Sequence, residues 1–361
     1  MTPPTDKLDW ANLGFQYRDL NGYAKYTWTA ENGWDKGTFE TDPFLKVHVC
    51  ATGLHYGQQA FEGLKAFRDK SGRVRVFRPQ VNAARMNRSA DMALMPQVPV
   101  EVFEEAVKRT VEKNLEFVPP LESGGSLYVR PFLFGSGPEI GLTASPEFTF
   151  IVIAMPVSSY YKDGIKPVDA WVIEDFDRTS LPNKAAPMGT GSTKLGGNYA
   201  PTLGPMKRAK ERGYPITLHL DSKTRTYIDE FSTSNFVALT HPDPSTGART
   251  FVTPNSSTVL RSVTRLSLED IATKLGWTVE ERSVKFSEIE EGRFAEIAAC
   301  GTAAIITPIK KIVRGEQVIR IGSGEQTEIG EGFSKLYEEY RGIQNGVIED
   351  TFNWMWPKEG L

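Results

Sequence analysis

The sequence predicts an α+β protein of two domains. A chain of 361 residues is longer than one hydrophobic core usually serves, so two domains of roughly 150 to 200 residues are expected. Strand-like apolar runs alternate with helical ones in the first half. A polar stretch, SSYYKDGIKP at 158–167, separates the halves and places the domain boundary near residues 162–176.

The first half supplies strands and one clear helix. Its apolar runs favour β-strands at 74–79, 126–134 and 148–157. Residues 100–118 instead carry apolar side chains four apart, which predicts an amphipathic helix with a stripe formed by Phe103, Val107, Val111 and Leu115.

The second half repeats the mixture. Apolar runs predict further strands at 214–220, 234–239 and 296–309. A helix is expected to begin near Ser262 and to run through Leu266, Ile271 and Leu275. The sequence contains no internal repeat and no low-complexity tract.

Composition narrows the class of protein. The net charge of -3 gives no electrostatic reason to expect nucleic acid or an anionic membrane as a partner. Cys50 and Cys300 lack CxxC spacing, so neither a disulfide framework nor a metal site is indicated. The N-terminus resembles no signal or transit peptide, and no run approaches the roughly 20 apolar residues of a membrane span. We expect a cytoplasmic protein that acts on small molecules.

The stretch GTGSTKLGGNYAP at 189–201 surrounds Lys194 with glycines. A lysine in such a loop is commonly a solvated surface cation. A phosphate-binding P-loop needs a glycine directly before the lysine and Ser or Thr directly after it, and this stretch has neither. A desolvated lysine can also act as a nucleophile that forms a Schiff base with a carbonyl.

The peptide KLGGNYAPT is similar to the lysine motif of branched-chain aminotransferases, which belong to the fold-type IV group of pyridoxal phosphate enzymes. Further segments resemble the family in the same order and spacing, so the resemblance extends over most of the chain. These segments are 54–68, 77–90, 127–131, 229–239, 259–272 and 300–309.

The resemblance implies a fold like that of D-amino acid aminotransferase. A small α/β-sandwich domain would comprise residues 1–164, a linker residues 165–176, and a large domain with a β-barrel-like core residues 177–361. It also implies a homodimer in which Lys194 holds pyridoxal 5'-phosphate as a Schiff base. The implied reaction is ping-pong transfer of the amino group of leucine, isoleucine or valine to 2-oxoglutarate.

The resemblance also assigns cofactor-binding residues. Backbone N–H groups of Val263 and Thr264 open the predicted helix, and a helix N-terminus is an anion site suited to the phosphate. Arg85 and Thr302 would add a charged fork and a hydroxyl. Two further contacts follow from the matched motifs, to the pyridine nitrogen from Glu230 and to the phenolic oxygen from Tyr199. Asp229 competes with Glu230, because neighbours on a strand face opposite ways.

Substrate residues are expected on the YVR stretch. A spacing of two on a strand puts Tyr128 and Arg130 on one face. By resemblance, Tyr128 and the backbone N–H groups of Thr302 and Ala303 bind the α-carboxylate, and Arg130 binds the distal carboxylate of glutamate. The remaining implied residues line the pocket or cross the dimer interface: Phe15, Phe61 and Tyr160 as apolar walls, and Tyr56 from the partner.

Two departures leave alternatives open. No CxxC follows the GTA turn at 301–303, so thiol control is not expected, and the pair Gln58 and Gln59 leaves the preferred substrate side chain undecided. Another fold-type IV activity (an amine or D-amino acid transaminase, or a lyase) would share Lys194 and Glu230. A non-enzymatic binding protein of the same fold is the remaining alternative.

Overall fold

The computed structural model describes residues 2–159, 164–176, 189–322 and 327–361. They form two compact units. The first comprises 2–159 together with 193–196 and 342–361, and the second holds the other described residues between 164 and 341. The two late segments of the first unit fall outside the boundaries proposed from the sequence, which stay a prediction.

The first unit is a sheet with helices packed against it; elements are numbered along the whole chain. Its strands are β1 (Tyr23–Thr29), β2 (Gly33–Trp34), β3 (Thr38–Glu40), β4 (Gln59–Phe61), β5 (Leu64–Arg68), β6 (Val74–Phe77), β7 (Ser126–Gly135), β8 (Glu147–Val157) and β18 (Met355–Trp356). Its helices are α1 (Thr52–His55), α2 (Pro79–Met92) and α3 (Val100–Glu112). The main strand order is β18-β6-β5-β7-β8-β1-β2, with β3 paired to β1 and β4 to β7.

Helix α3 carries the predicted apolar stripe but is shorter than predicted. Phe103, Val107 and Val111 are fully buried in the core of the first unit. The helix ends at Glu112, and Leu115 starts a separate 3-10 helix. Buried Asn114 accounts for the end, because its amide donates to the backbone oxygen of Thr110 at 2.7 Å and competes with helical hydrogen bonding.

The second unit is built on a closed barrel. Its strands are β9 (Val168–Ile173), β10 (Ile216–Leu220), β11 (Ile228–Phe231), β12 (Ser234–Thr240), β13 (Thr250–Pro254), β14 (Thr278–Arg282), β15 (Phe294–Gly301), β16 (Ile305–Arg314) and β17 (Gln317–Arg320). Six strands close a ring in the order β11-β10-β9-β16-β15-β12 and back to β11. The predicted α+β class with a barrel core is confirmed.

The helices of the second unit lie around this barrel. They are α4 (Leu203–Glu211), α5 (Val263–Lys274), α6 (Ser287–Glu290) and most of α7 (Glu331–Gln344), whose last three residues belong to the first unit. The predicted helix after Ser262 is confirmed as α5. The apolar run 296–309 is two strands joined by a turn, and β9 lies inside the predicted linker of 165–176.

Within the described ranges, no helix combines the length and the apolar character that a membrane crossing requires.

Candidate active site

The backbone of Lys194 is held between β4 and α2 in the first unit. Its N–H donates to Ser89 Oγ at 2.9 Å, and its carbonyl oxygen accepts from the N–H of Phe61 at 3.0 Å. Two residues later, a Cβ at Gly196 would come within 2.7 Å of Gln59 Nε2. Glycine at 196 therefore lets the lysine loop pass close to β4.

The flanks of the lysine loop are tied together in the second unit. Thr190 Oγ1 donates to Asn198 Oδ1 at 2.8 Å, and Asn198 Nδ2 donates back to the carbonyl oxygen of Thr190 at 2.7 Å. This reciprocal pair closes the base of the loop, so a stretch rich in glycine still presents Lys194 from a defined backbone.

The side chain of Lys194 lies beside an aromatic and cationic cluster. Its Nζ is 4.5 Å from the centroid of the Phe61 ring, and the guanidinium carbon of Arg130 is 4.8 Å from the same centroid. The hydroxyl of Tyr128 accepts from Arg130 Nη2 at 2.7 Å and from Nε at 3.2 Å. The structure thus brings together four predicted site residues, and Tyr128 and Arg130 share one face of β7 as predicted.

Glycine at position 63 leaves room for the side chain of Tyr128. A Cβ at Gly63 would overlap the hydroxyl of Tyr128. A larger residue at position 63 would take space that the tyrosine occupies. The hydroxyl of Tyr128 thus lies next to the backbone of Gly63, just after β4.

A buried carboxylate, Glu62, lies in this cluster. It has no exposed surface, and its two oxygens accept from Arg85 Nε and Nη2, each at 2.7 Å, and from Asn82 Nδ2 at 2.7 Å. Burial alone would raise the pKa of Glu62, but attraction and hydrogen bonds from Arg85, attraction from Lys194 and the Asn82 contact hold this pKa below its ordinary value. Glu62 is therefore an ionised carboxylate inside the protein.

Glu62 was missed as a site residue, although it stands in the matched segment 54–68. The sequence did offer one signal: Glu62 is an acidic residue directly after the apolar residues at the end of a strand. The structure pairs Arg85 with Glu62, and the phosphate contact proposed for Arg85 stays a prediction.

Gln58 has a structural explanation. Its Oε1 accepts from Thr52 Oγ1 at 2.7 Å and from the N–H of Ser145 at 3.2 Å, and its Nε2 donates to the carbonyl oxygens of Ala93 and Leu94. One amide thus joins three separate segments of the first unit to residue 58. This explains a glutamine at that position without invoking the substrate.

The remaining predicted residues of the first unit lie nearer the surface. Phe15 is 55% exposed and Tyr56 is 48% exposed. The hydroxyl of Tyr56 donates to the carbonyl oxygen of Ile140 at 2.6 Å. Tyr160 falls outside the described residues. The pocket roles of these three aromatic residues stay predictions.

The second unit presents a second buried carboxylate, Glu230 on β11. It is only 2% exposed, whereas Asp229 beside it is partly exposed, so Glu230 is the residue on the inward face. Glu230 pairs in register with Asn235 of β12, whose Nδ2 donates to Glu230 Oε2 at 3.2 Å. A neutral amide is thus one hydrogen-bond donor to this carboxylate.

Asn235 connects Glu230 to the start of α5. Its Nδ2 also donates to the carbonyl oxygen of Leu260 at 2.8 Å, and its Oδ1 accepts from the N–H of Ser262 at 3.1 Å. Ser262 is the N-cap, and its Oγ accepts from the N–H of Arg265 at 3.4 Å. Asn235 was not predicted as a site residue, although it stands in the matched segment 229–239.

The first turn of α5 is chemically an anion site. Val263 and Thr264 are its first two residues and both are buried. The first N–H groups of a helix have no acceptor within the helix, and the helix dipole puts partial positive charge there. Asn235 and Ser262 fix the backbone at this helix start, and the phosphate contact of Val263 and Thr264 stays a prediction.

The turn after β15 lies beside this network in the sheet. Cys300 is in register with Asn235, and Thr302 and Ala303 follow in the turn before β16. Burial raises the pKa of the Cys300 thiol to about 12, so this cysteine carries no thiolate at neutral pH. Tyr199 is half-buried and starts the 3-10 helix Ala200–Thr202.

The donor set fits pyridoxal phosphate, group by group. In the first unit, Lys194 would supply an amine for a carbonyl carbon; in the second, Glu230 would supply a buried carboxylate for a protonated ring nitrogen. The α5 N-terminus supplies backbone N–H groups for a phosphate.

The chain is similar in sequence to known aminotransferases. The family profile for amino-transferase class IV matches residues 59–312. Aminotransferase poxL of Penicillium oxalicum is 43% identical over 354 residues, covering 97% of this chain and 93% of the relative. The branched-chain-amino-acid aminotransferase of Haemophilus influenzae is also 43% identical over 354 residues, covering 96% of this chain and 98% of that one.

A solved structure shows the same architecture. The crystal structure of the Escherichia coli branched-chain amino acid aminotransferase matches with a TM-score of 0.72 and 25% sequence identity. The match covers 92% of this chain and 98% of that chain. The predicted fold type IV is confirmed.

Proposed function

Because the chain belongs to the class IV aminotransferase family, we propose that it transfers the amino group of a branched-chain L-amino acid to 2-oxoglutarate, giving a 2-oxo acid and L-glutamate. Enzymes of this class depend on pyridoxal phosphate, so the chain is a pyridoxal phosphate enzyme. The alternative of a non-enzymatic binding protein is set aside.

One observation supports this substrate pair most directly. Phe61 presents an apolar ring to Lys194 on one side of the cluster, and the guanidinium of Arg130 contacts the same ring. An apolar surface suits the side chain of leucine, isoleucine or valine. A guanidinium suits the distal carboxylate of glutamate, because charge-assisted bonds to carboxylates are strong and directional.

Lys194 is the proposed catalytic residue. Bound pyridoxal phosphate supplies an electron sink for the negative charge that develops at the substrate Cα. Lys194 Nζ, once free, would take the proton from the substrate Cα as a general base and would later give it up as a general acid. The same residue serves both half-reactions of a ping-pong cycle.

The other predicted residues take binding roles in the proposal. Glu230 keeps the ring nitrogen protonated, which makes the ring a better electron sink. Tyr199 donates to the phenolic oxygen. The phosphate is bound by the backbone of Val263 and Thr264, with Arg85 and Thr302.

Substrate contacts follow the same division. Tyr128 and the N–H groups of Thr302 and Ala303 bind the α-carboxylate in the proposal, and Arg130 binds the distal carboxylate. Phe15, Phe61 and Tyr160 form the apolar walls. Because Tyr128 already accepts two bonds from Arg130, the two carboxylate sites of the proposal share one hydrogen-bonded pair.

We also propose a homodimer. The segments 49–56 and 138–142 are joined by a bond from the N–H of Glu139 to the carbonyl oxygen of Cys50 and by the Tyr56 contact with Ile140. Large apolar side chains on them are exposed, Leu142 by 87%. Grouped exposed apolar residues mark interaction surfaces. A second copy covering them would bury Tyr56, as the resemblance implies, and Leu142→Asp should then produce monomers in sedimentation experiments.

A cytoplasmic setting completes the proposal. Cys50 and Cys300 are both free in the structure, which suits a reducing compartment.

A second candidate differs only in the amino donor. The chain is as similar to aminotransferase poxL as to the Haemophilus influenzae branched-chain enzyme, at 43% identity each. The same chemistry acting on a different amino acid is therefore the competing proposal, and Gln59 beside the lysine loop adds polarity near Phe61.

A panel of amino donors tests both candidates. The purified holoenzyme is supplied with 2-oxoglutarate and with L-leucine, L-isoleucine, L-valine, other L-amino acids, D-amino acids or simple amines, and glutamate formation is measured. The proposal predicts the highest kcat/KM for the three branched-chain acids. Higher efficiency with a different donor class would replace the branched-chain assignment by the second candidate or by another fold-type IV activity.

A further inference from the structure

Helix α2 presents a buried polar stripe to the lysine loop and to Glu62. Asn82, Arg85 and Ser89 are spaced three and four apart, so they share one helix face. All three are at least 96% buried. Asn82 and Arg85 bind the carboxylate of Glu62, and Ser89 accepts from the backbone N–H of Lys194.

A second connection runs through the backbone of β4. Phe61, directly before Glu62, donates its N–H to the carbonyl oxygen of Lys194 and places its ring 4.5 Å from Nζ. Ser89 Oγ in turn donates to the carbonyl oxygen of Arg85 at 3.2 Å. Glu62, Arg85 and the backbone of Lys194 are thus joined in one hydrogen-bonded network.

In this network, two positive side chains act on the one carboxylate of Glu62. The positive groups facing Glu62 are Arg85 from α2 and Lys194 from the loop, and Arg130 from β7 contacts the same Phe61 ring as Lys194. Removing the charge of Glu62 would deprive the buried guanidinium of Arg85 of this bidentate carboxylate, which is costly in a low-dielectric interior, and would take a negative charge away from Lys194.

We infer that Glu62 is a positioning residue of the aminotransferase: it orients Arg85 and is the counter-charge that keeps the cofactor-linked nitrogen of Lys194 protonated. This inference rests on the proposed role of Lys194. Negative charge beside a nitrogen stabilises its protonated form, so the charge of Glu62 raises the pH at which that nitrogen loses its proton. The bidentate contact fixes the guanidinium plane of Arg85, because two parallel bonds leave it no rotation.

The test uses the visible absorbance of the bound cofactor, which reports the protonation of the nitrogen joined to it. Wild-type holoenzyme, Glu62→Gln and Glu62→Asp are titrated with acid and base, and pyridoxal phosphate binding to each apoprotein is measured by fluorescence. Glu62→Gln should lower the pH midpoint by about one unit and weaken cofactor binding about 10-fold. Glu62→Asp keeps the charge and should keep most of the midpoint while losing affinity.

Asp69→Asn is the matched control. Asp69 is a buried carboxylate of the same unit, 3% exposed, that contacts Arg73 and Arg75. Its loss should lower thermal stability without moving the midpoint. Equal midpoints in wild type and Glu62→Gln, or an equal shift in Asp69→Asn, would overturn the inference.

Failure of the inference and failure of the proposed function give different results. If borohydride reduction of wild-type holoenzyme labels a lysine other than Lys194, the proposed function fails first. If Lys194 is labelled but the midpoint is insensitive to Glu62, only the inference fails. Where Glu62→Gln does not fold, Glu62→Asp decides, and wild-type cofactor affinity in that variant would contradict the orienting role.

Discussion

The two units surround their candidate site carboxylates, Glu62 and Glu230, with different groups. In the first, Glu62 is neutralised by Arg85 and attracted by Lys194, and two cations contact one Phe61 ring. In the second, Glu230 is held by the neutral amide of Asn235, and the anion site at α5 is made of backbone N–H groups. Glu62 is therefore held by an ion pair, whereas Glu230 accepts a hydrogen bond from an amide.

This difference suits the two halves of the proposed chemistry. A residue that changes protonation during each turnover needs a fixed counter-charge, which an ion pair supplies. A ring nitrogen and a phosphate keep their charges through the cycle and need only aligned donors and acceptors, which cost little reorganisation.

The largest effect should come from removing the charge of Lys194 itself. Lys194→Ala should lower transamination about 10⁴-fold or more, because both the covalent link and the proton transfer are lost. Circular dichroism should show a folded protein. Lys207→Ala, on an exposed residue of α4, is the control and should retain activity. Substantial turnover without Lys194 would remove the basis of the comparison.

Glu230→Gln tests the second unit, because it removes the negative charge of Glu230 and keeps nearly the same side-chain shape. The protonated ring nitrogen loses its partner, so proton abstraction from Cα should slow about 100-fold, about 3 kcal/mol of transition-state free energy. Asp229→Asn on the other face of β11 is the control. Stopped-flow measurement of each half-reaction gives the rates. If Asp229→Asn were the damaging change, the inward face of β11 would be wrongly assigned.

Arg130→Met sharpens the account of the first unit by removing one of its two cations near Phe61. Glutamate and 2-oxoglutarate lose a charge-assisted bond in the proposal, so their kcat/KM should fall about 10- to 100-fold. Leucine makes no such bond, and single-turnover rates with leucine should change much less. Equal losses in the two half-reactions would show that Arg130 serves the α-carboxylate or the fold.

Asn235→Ala removes a hydrogen-bonding amide from the second unit without changing the charge of that unit. Leu260, Ser262 and Glu230 each lose a buried partner, so the free energy of unfolding should fall by about 1 to 3 kcal/mol. Turnover should fall about 10-fold as Glu230 and the start of α5 lose alignment.

Gln58→Ala is the matched control, since this amide also joins distant backbone segments but lies outside the proposed site. It should lower the melting temperature with kcat nearly unchanged. A fall in kcat as large as that of Asn235→Ala would mean that both amides act only through stability.

Local patterns were enough to predict much of the fold. Ser262 followed by apolar residues at helical spacing identified α5, and a spacing of two put Tyr128 and Arg130 on one face. Each depends on residues a few positions apart, for which backbone periodicity is decisive. The early end of α3 was missed because Asn114 also donates to the distant carbonyl oxygen of Gly22.

The supporting residues of the site were missed for the same reason. Glu62 acquires its role from Arg85, 23 positions later, and Asn235 from Ser262, 27 positions later. No periodicity joins residues so far apart, and only the folded chain shows which acid meets which arginine. The chemistry-bearing residues themselves were named through the family resemblance.

The return of the chain to the first unit has a consequence during protein synthesis. β18 forms the outer strand next to β6, yet it follows the entire second unit in the chain. About 180 residues separate Ser159 from Gly342, and a ribosome takes about 10 to 40 s to make them at ordinary elongation rates. Throughout that interval β6 is an uncovered sheet edge on the nascent chain. An open edge invites pairing with other chains, so the growing polypeptide is most exposed to misassembly, and most in need of a chaperone, before residue 355 emerges.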